Sequence, residues 1–156
     1  WLKGLNPKEN RTIPPLQYER ILCLKKKRPE LTIEINGGLK TVNDCLKALE
    51  ICDGAMVGRA AYEDPLRWKK IDELIFNEAP RSIKASSVIR GIIPYTEKHL
   101  KSDGRLWDIC RHLIQIVKEV PGARKWRRDL GLKAQQKKAN LGVLEEAALQ
   151  LEEAGL

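Results

Sequence analysis

Two kinds of apolar pattern divide the chain. In the first half, short apolar runs end in glycine: Leu31-Thr-Ile-Glu-Ile-Asn-Gly-Gly38, then Asp53-Gly-Ala-Met-Val-Gly-Arg59. Such runs, bounded by turn residues, predict strands over Leu31–Asn36 and Asp53–Gly58. Between them Val42, Cys45, Leu46 and Leu49 fall on one helical face behind Thr41-Val-Asn-Asp44, which has the form of a capping box. Strand, helix and strand this close together predict a βαβ unit with parallel strands and a right-handed crossover. A helix is also predicted from Pro15 to Arg28, with Tyr18, Ile21 and Leu22 at helical spacing and Pro29 as its stop. Its basic end, Lys25-Lys-Lys-Arg28, complements the helix dipole. A short helical turn at Ala60–Tyr62 and a helix from Pro65 to Phe76 should follow.

From Pro80 onward only helical periodicity remains. Val88, Ile89, Ile92 and Ile93 stripe one helix, with Pro94 as its expected kink. Leu106, Ile109, Cys110, Leu113, Ile116 and Val117 stripe the next. Pro121-Gly122 breaks it, Ala123, Trp126 and Leu130 line a third, and Leu144, Ala147, Ala148 and Leu151 line the last. The division is thus a βα portion over residues 1–78, opening with a loop-like segment, and a helical bundle over residues 79–156. Two parallel strands leave both sheet edges unpaired, and parallel sheets are normally covered on both faces. Further strands are therefore expected, either missing from this sequence or supplied by another copy of the chain. The start at Trp1-Leu-Lys-Gly-Leu, without Met or a signal-peptide core, fits a segment of something longer.

Charge sharpens this picture. The net +8 is concentrated in residues 1–30, with eight Lys/Arg against three acids, and in residues 118–138, with eight against two. Two separated basic stretches suit a polyanion bound across two parts of the fold. Cys23, Cys45, Cys52 and Cys110 show no CxxC pairing, which favours reduced core thiols in a cytoplasmic protein over zinc ligands or disulfides. His99 and His112 lack metal-like spacing and are expected to be surface or packing residues. No apolar run is long enough to span a membrane.

The glycine turns carry the candidate chemistry. Asn36-Gly37-Gly38 offers unhindered backbone donors and an amide, and Gly58-Arg59 offers another bare N–H with a guanidinium. Successive parallel strands ending this way at one sheet edge predict a phosphate cradle, with a helix N-terminus adding positive potential. In a (β/α)8 barrel the loops after the seventh and eighth strands form such a site beside a short extra helix, here matched by Ala60–Tyr62.

Four segments then resemble a known family in the right order. They are Trp1-Leu-Lys-Gly-Leu-Asn-Pro-Lys-Glu-Asn-Arg-Thr-Ile-Pro-Pro-Leu16, Glu34-Ile-Asn-Gly-Gly38, Asp53-Gly-Ala-Met-Val-Gly-Arg-Ala-Ala-Tyr62 and Pro121-Gly-Ala-Arg-Lys-Trp-Arg-Arg128. Together they resemble bacterial-type tRNA-dihydrouridine synthases of the A subfamily, over most of the chain and weakening after about residue 130. The resemblance implies an α/β fold: the last two βα units of a (β/α)8 TIM barrel followed by an all-α bundle. It also implies a flavoprotein oxidoreductase that holds FMN, uses NADPH and reduces uridine in the tRNA D-loop.

Carried over residue by residue, the resemblance makes Asn36, Gly37, Gly38, Gly58 and Arg59 the residues of the FMN phosphate site. It makes Lys8, Arg11, Arg124 and Arg127 tRNA contacts, and these lie inside the two basic stretches. Trp126, on the apolar side with Ala123 and Leu130, is expected to pack its helix rather than stack a base. The sequence departs from the family in lacking the earlier barrel strands, and it has no Asn-x-x-Gly-Cys-Pro loop bearing the catalytic cysteine. None of the four cysteines present has a Gly or Pro neighbour, so no catalytic residue and no metal ligand is assigned. The leading expectation is a C-terminal fragment of the flavin-dependent enzyme, inactive by itself and completed by the N-terminal remainder of the barrel. The rivals are a stand-alone RNA-binding module without redox activity, and another barrel enzyme with a phosphate-bearing ligand. The last of these explains the glycines but not the paired Arg/Lys signatures.

Overall fold

The capping box at Thr41 forms as the sequence predicts. The Asp44 N–H donates to Thr41 Oγ1 at 3.1 Å, and the Thr41 N–H donates back to Asp44 Oδ2 at 2.9 Å. The computed structural model describes Asn6, Glu9 and residues 16–156, which fall into two compact units, Trp1–Gly58 and Arg59–Leu156.

The first unit holds α1 (Tyr18–Lys27), β1 (Glu34–Asn36), α2 (Val42–Leu49) and β2 (Gly54–Met56). β1 and β2 pair in parallel, with Glu34 opposite Gly54, Ile35 opposite Ala55 and Asn36 opposite Met56. Ile35, Leu39, Cys45, Ala48 and Cys52 are buried here. Both strands are shorter than the apolar runs that announce them. Leu31 folds back through an N–H donated to the Arg28 carbonyl at 3.2 Å, and the Ile33 N–H is taken by Asp53 Oδ2 at 2.8 Å. The ladder therefore starts only at Glu34. α1 starts at Tyr18 rather than Pro15: Gln17 is non-helical and gives no side-chain cap, because Leu16 is turned over the glycines after β1. Pro15 lies outside the described residues.

The second unit holds α3 (Arg59–Glu63), a 3-10 turn (Pro65–Trp68), α4 (Ile71–Phe76), α5 (Ala85–Lys101), α6 (Leu106–Leu113), α7 (Ala123–Ala134) and α8 (Gly142–Glu153). The single helix expected over Pro65–Phe76 is in fact two pieces, ended by Asn77 in the left-handed conformation. α6 stops at Leu113 although its stripe runs on. Ile116 and Val117 bury themselves from the following turn instead. One apolar core joins α5 to α8 through Ile89, Leu106, Cys110, Leu130, Leu144 and Ala148. Pro94 sits inside α5 as expected. Among the described residues no helix is long and apolar enough to cross a membrane.

Candidate phosphate cradle and basic helix face

Asn36 closes β1, and the parallel register carries the chain beyond Met56 to the same sheet edge. Gly37 and Gly38 follow with φ of 117° and 74°, conformations that L side chains resist. Their surroundings enforce this. The Tyr18 hydroxyl donates to the Gly37 carbonyl at 2.5 Å. A Cβ added at Gly38 would lie 2.8 Å from Leu16 Cδ1, and one at Gly37 would lie 3.2 Å from Leu16 Cδ2. With one face of the turn sealed by Leu16 and Tyr18, the Gly37 N–H continues the ladder toward the Met56 carbonyl, while the N–H of Gly38 finds no protein acceptor among the described residues. The N–H of Gly58 finds none either, and no atom lies within 4 Å of where its Cβ would stand.

Arg59 follows Gly58 directly and opens α3; it is exposed, and among the described residues it makes no ion pair. Glycine amides without a protein acceptor and an unpaired guanidinium are each donor types that suit a phosphate. The positive helix terminus expected beside them is absent at α2. There Asp44 Oδ2 takes the N–H of Lys40 at 3.0 Å as well as that of Thr41. Those bonds, the Lys40 N–H foremost and the Thr41 hydroxyl next, hold the Asp44 carboxyl below the usual carboxylate range. The start of α2 thus carries its own negative charge.

At the opposite end of the strands, Lys25 has a structural task beyond complementing the α1 dipole. Its Nζ donates to the Leu31 carbonyl at 2.7 Å, to the Pro29 carbonyl at 3.2 Å and to Asp53 Oδ2 at 2.7 Å. Lys25, followed by the Ile33 N–H, holds the Asp53 carboxyl below its ordinary range. Arg28 pairs with Glu30. Part of the first basic stretch is therefore spent inside the fold. Lys8 and Arg11, expected to contact RNA, lie outside the described residues.

The second basic stretch keeps its charge outward. Trp126 is buried to 6 % exposure, and its Nε1 donates to the Ala147 carbonyl at 3.0 Å, so it packs α7 onto α8 and fixes the rotation of α7. Arg124, Lys125 and Arg128 then face solvent and line one groove with Gly122. Arg127 behaves differently. It is half-buried, its Nη1 reaches the Val117 carbonyl at 3.5 Å, and it does not line that groove. α7 begins at Gly122, φ 82°, with no side-chain cap and no acid in its first turn. Cations at a helix N-terminus oppose the dipole, so this arrangement costs stability unless an anion arrives. Lys125 and Arg128 were not singled out from sequence, although the i, i+4 spacing from Arg124 to Arg128 was the available signal.

The remaining chemistry-bearing residues have structural roles. Cys45, Cys52 and Cys110 are buried, whereas Cys23 is exposed on α1 and is no core thiol. Burial pushes the Cys110 thiol up to about 11. His99 packs against Gly104, 3.4 Å from Asp108 Oδ2, and exposed His112 meets the Tyr62 hydroxyl through Nδ1 at 2.9 Å. Among the described residues no His/Cys/Asp/Glu group is placed to hold a metal ion.

Comparison with known proteins gives one answer. The family model described as dihydrouridine synthase (Dus) matches residues 4–153. Proteins named tRNA-dihydrouridine(20/20a) synthase from Yersinia pestis, Shewanella oneidensis and Escherichia coli strain K12 are each 42% identical to the chain over 147 residues. Each match covers 94% of this chain but only 43% or 44% of the relative. The chain thus spans less than half the length of these curated relatives. Matched from residue 4 to residue 153, it belongs to the dihydrouridine synthase family.

Proposed function

We propose that this chain is the cofactor-phosphate and RNA-gripping part of an FMN-dependent tRNA-dihydrouridine synthase of the A type. In this reading residues 1–78 end a (β/α)8 barrel and residues 79–156 form the tRNA-binding helical domain, although α3, the 3-10 turn and α4 fold with the second compact unit. The observation that carries the reading is the pair of Gly38 and Gly58 amides, without a protein acceptor among the described residues, followed in the chain by unpaired Arg59. These residues fit the phosphate end of a flavin mononucleotide: a Cβ at Gly37 or Gly38 would crowd Leu16, and Gly58 is open to an approaching anion. Asn36, exposed at the end of β1, adds an amide. The chemistry that the flavin supplies when bound is hydride transfer to the uracil ring, with NADPH as the reductant and a proton completing the addition.

The residues of this chain bind and orient. Arg124 and its neighbours on α7 hold RNA phosphates, with Arg127 buttressing the turn after α6 and Lys8 and Arg11 completing the grip. A uridine presented to a flavin must leave its stack, and shape and phosphate contacts suit that task in a folded RNA. Free buried thiols fit a reducing, cytoplasmic setting. The remainder of the barrel supplies the flavin-ring contacts and the proton donor.

The test uses the protein extended upstream into a whole barrel. Arg59→Ala should release FMN, read by flavin absorbance after gel filtration, and Arg124→Ala should weaken tRNA binding while leaving the flavin in place. Unaltered flavin retention in the first variant overturns the cradle assignment. A second reading, an RNA-binding module without redox activity, draws on the well-formed helical core and the basic face of α7. It predicts salt-sensitive tRNA binding by a protein that retains no flavin even when extended.

A further inference from the structure

Three grooves on the Arg59–Leu156 unit share walls. The first is the basic groove of Gly122, Arg124, Lys125 and Arg128. Gly122 and Lys125 also line a second, which continues to Val117 and Leu156. Val117 and Leu156 in turn line a third, of about 310 Å3, together with Lys69, Lys84 and Lys118. Those lysines come from separate places: Lys69 follows the 3-10 turn, Lys84 caps α5 and Lys118 follows α6. Among the described residues none of them makes an ion pair, and no Asp or Glu side chain lines the groove. Its floor is apolar, formed by Leu66, Ile116, Val117 and Val120. Like charges that pair with no Asp or Glu side chain, gathered over a low-dielectric floor, attract an anion and repel one another without it.

We propose that the Lys69–Lys84–Lys118 groove is a further phosphate-contact site for RNA, continuous with the arginines of α7. The proposal rests on the RNA-binding reading above and extends it to residues outside the family signatures. The middle groove explains the path. Its α7–α8 wall carries Asp129, Glu146 and Glu153, whereas its wall from Val117 to Ala123 contributes no carboxylate. A polyanion leaving Arg124 is therefore steered along the Pro121–Gly122 turn toward Lys118. Charges spread over three elements along a shared path suit successive phosphates better than one small anion, and the apolar floor accepts a ribose or base face.

The experiment is salt titration of tRNA binding by the chain, comparing the unsubstituted protein with Arg124→Ala and with the triple Lys69→Gln/Lys84→Gln/Lys118→Gln variant. Each lost phosphate contact lowers the slope of log K against log salt by about 0.7–0.9, so the triple variant should lose about 2 units of slope and about tenfold or more in affinity at low salt. The corresponding triple Lys→Arg variant should bind as the unsubstituted chain does, and circular dichroism of all variants should coincide. An unchanged slope in the glutamine variant, with Arg124→Ala still weakened, overturns this inference and leaves the RNA-binding reading standing. No tRNA binding by the unsubstituted chain overturns both. Loss of binding to phosphatidylglycerol-containing vesicles with tRNA affinity retained would assign the groove to a lipid headgroup and also overturn the inference.

Discussion

The glycine turns and the basic helix offer donors suited to a phosphate from different parts of the polypeptide. In the βα unit the donors are backbone N–H groups, and the side chains of Leu16 and Tyr18 serve to shape that backbone. In the helical unit the donors are side chains, and the backbone beneath them is fixed by a core from Ala85 to Leu151. Positive φ angles mark the same contrast. They occur only at Gly37 and Gly38 among the described residues of the first unit, whereas the helical unit has them at Asn77, Asp103 and Glu119 as well as at Gly122 and Gly155. Where the backbone itself must meet a ligand, only glycine leaves room. Where it merely turns, a polar side chain is tolerated.

Removing the helical scaffold should have the largest effect. Trp126→Ala deletes a buried aromatic and its bond to the Ala147 carbonyl, and it should destabilise the second unit by about 3–5 kcal/mol. Thermal unfolding measures the loss, and RNA affinity should fall with it because Arg124 and Arg128 lose their footing. If Trp126 instead stacked a base, affinity would drop while the melting temperature held. Gly38→Ala attacks the other strategy. Its Cβ would stand 2.8 Å from Leu16 Cδ1 at a φ of 74°, costing about 2 kcal/mol of local stability. Hydrogen exchange should quicken in residues 16–58 and stay unchanged in α5–α8, and Leu16→Ala in the same chain should restore part of the protection.

What the sequence made legible was local. The Thr41 capping box, the order of strand, helix and strand, and the buried faces of α7 and α8 all depend on residues a few positions apart, so spacing alone revealed them. What it hid was long-range. Nothing near Gly37 announces that Tyr18 will bond its carbonyl, and nothing near Lys25 announces Asp53 as its partner. The end of α6 at Leu113 was hidden for a related reason: Ile116 and Val117 keep the helical stripe, but the core accepts them from a turn just as well. Among site residues, Arg124 lay exposed where the basic stretch predicted it, whereas Arg127 was drawn inward by the Val117 carbonyl. The lysine groove assembles from three elements and left only Lys118 visible, as one charge in a count.

A smaller effect separates the units by pH. Asp44→Asn removes the carboxylate that takes the Lys40 and Thr41 amides at the start of α2, and loss of such a cap costs about 1 kcal/mol. Because the folded carboxyl titrates below its unfolded counterpart, its stabilisation is present above the unfolded value, roughly pH 4. It fades as pH falls through the folded value. The difference between variant and parent, read by hydrogen exchange in α2, should therefore be full at pH 7 and shrink toward pH 3. A difference constant with pH would show that shape rather than charge does the capping.

The smallest effect tests whether the helical unit carries strain for which the cradle uses glycine. Glu119 adopts φ 56°, between half-buried Lys118 and Val120. A non-glycine residue in that region costs about 1–2 kcal/mol, and glycine returns about 0.5–1 kcal/mol of that through its greater freedom when unfolded. Glu119→Gly should thus stabilise the second unit by about 0.5 kcal/mol and raise its melting temperature by a few degrees. It also removes an acid next to Lys118, so tRNA affinity should rise slightly at low salt. Glu119→Gln separates the two contributions: it keeps the strain and removes the charge, and should reproduce the gain in affinity without the gain in stability. A lower melting temperature for Glu119→Gly would mean that the turn is held by side-chain contacts of Glu119 strong enough to outweigh its backbone, erasing the contrast with the glycine cradle at this position.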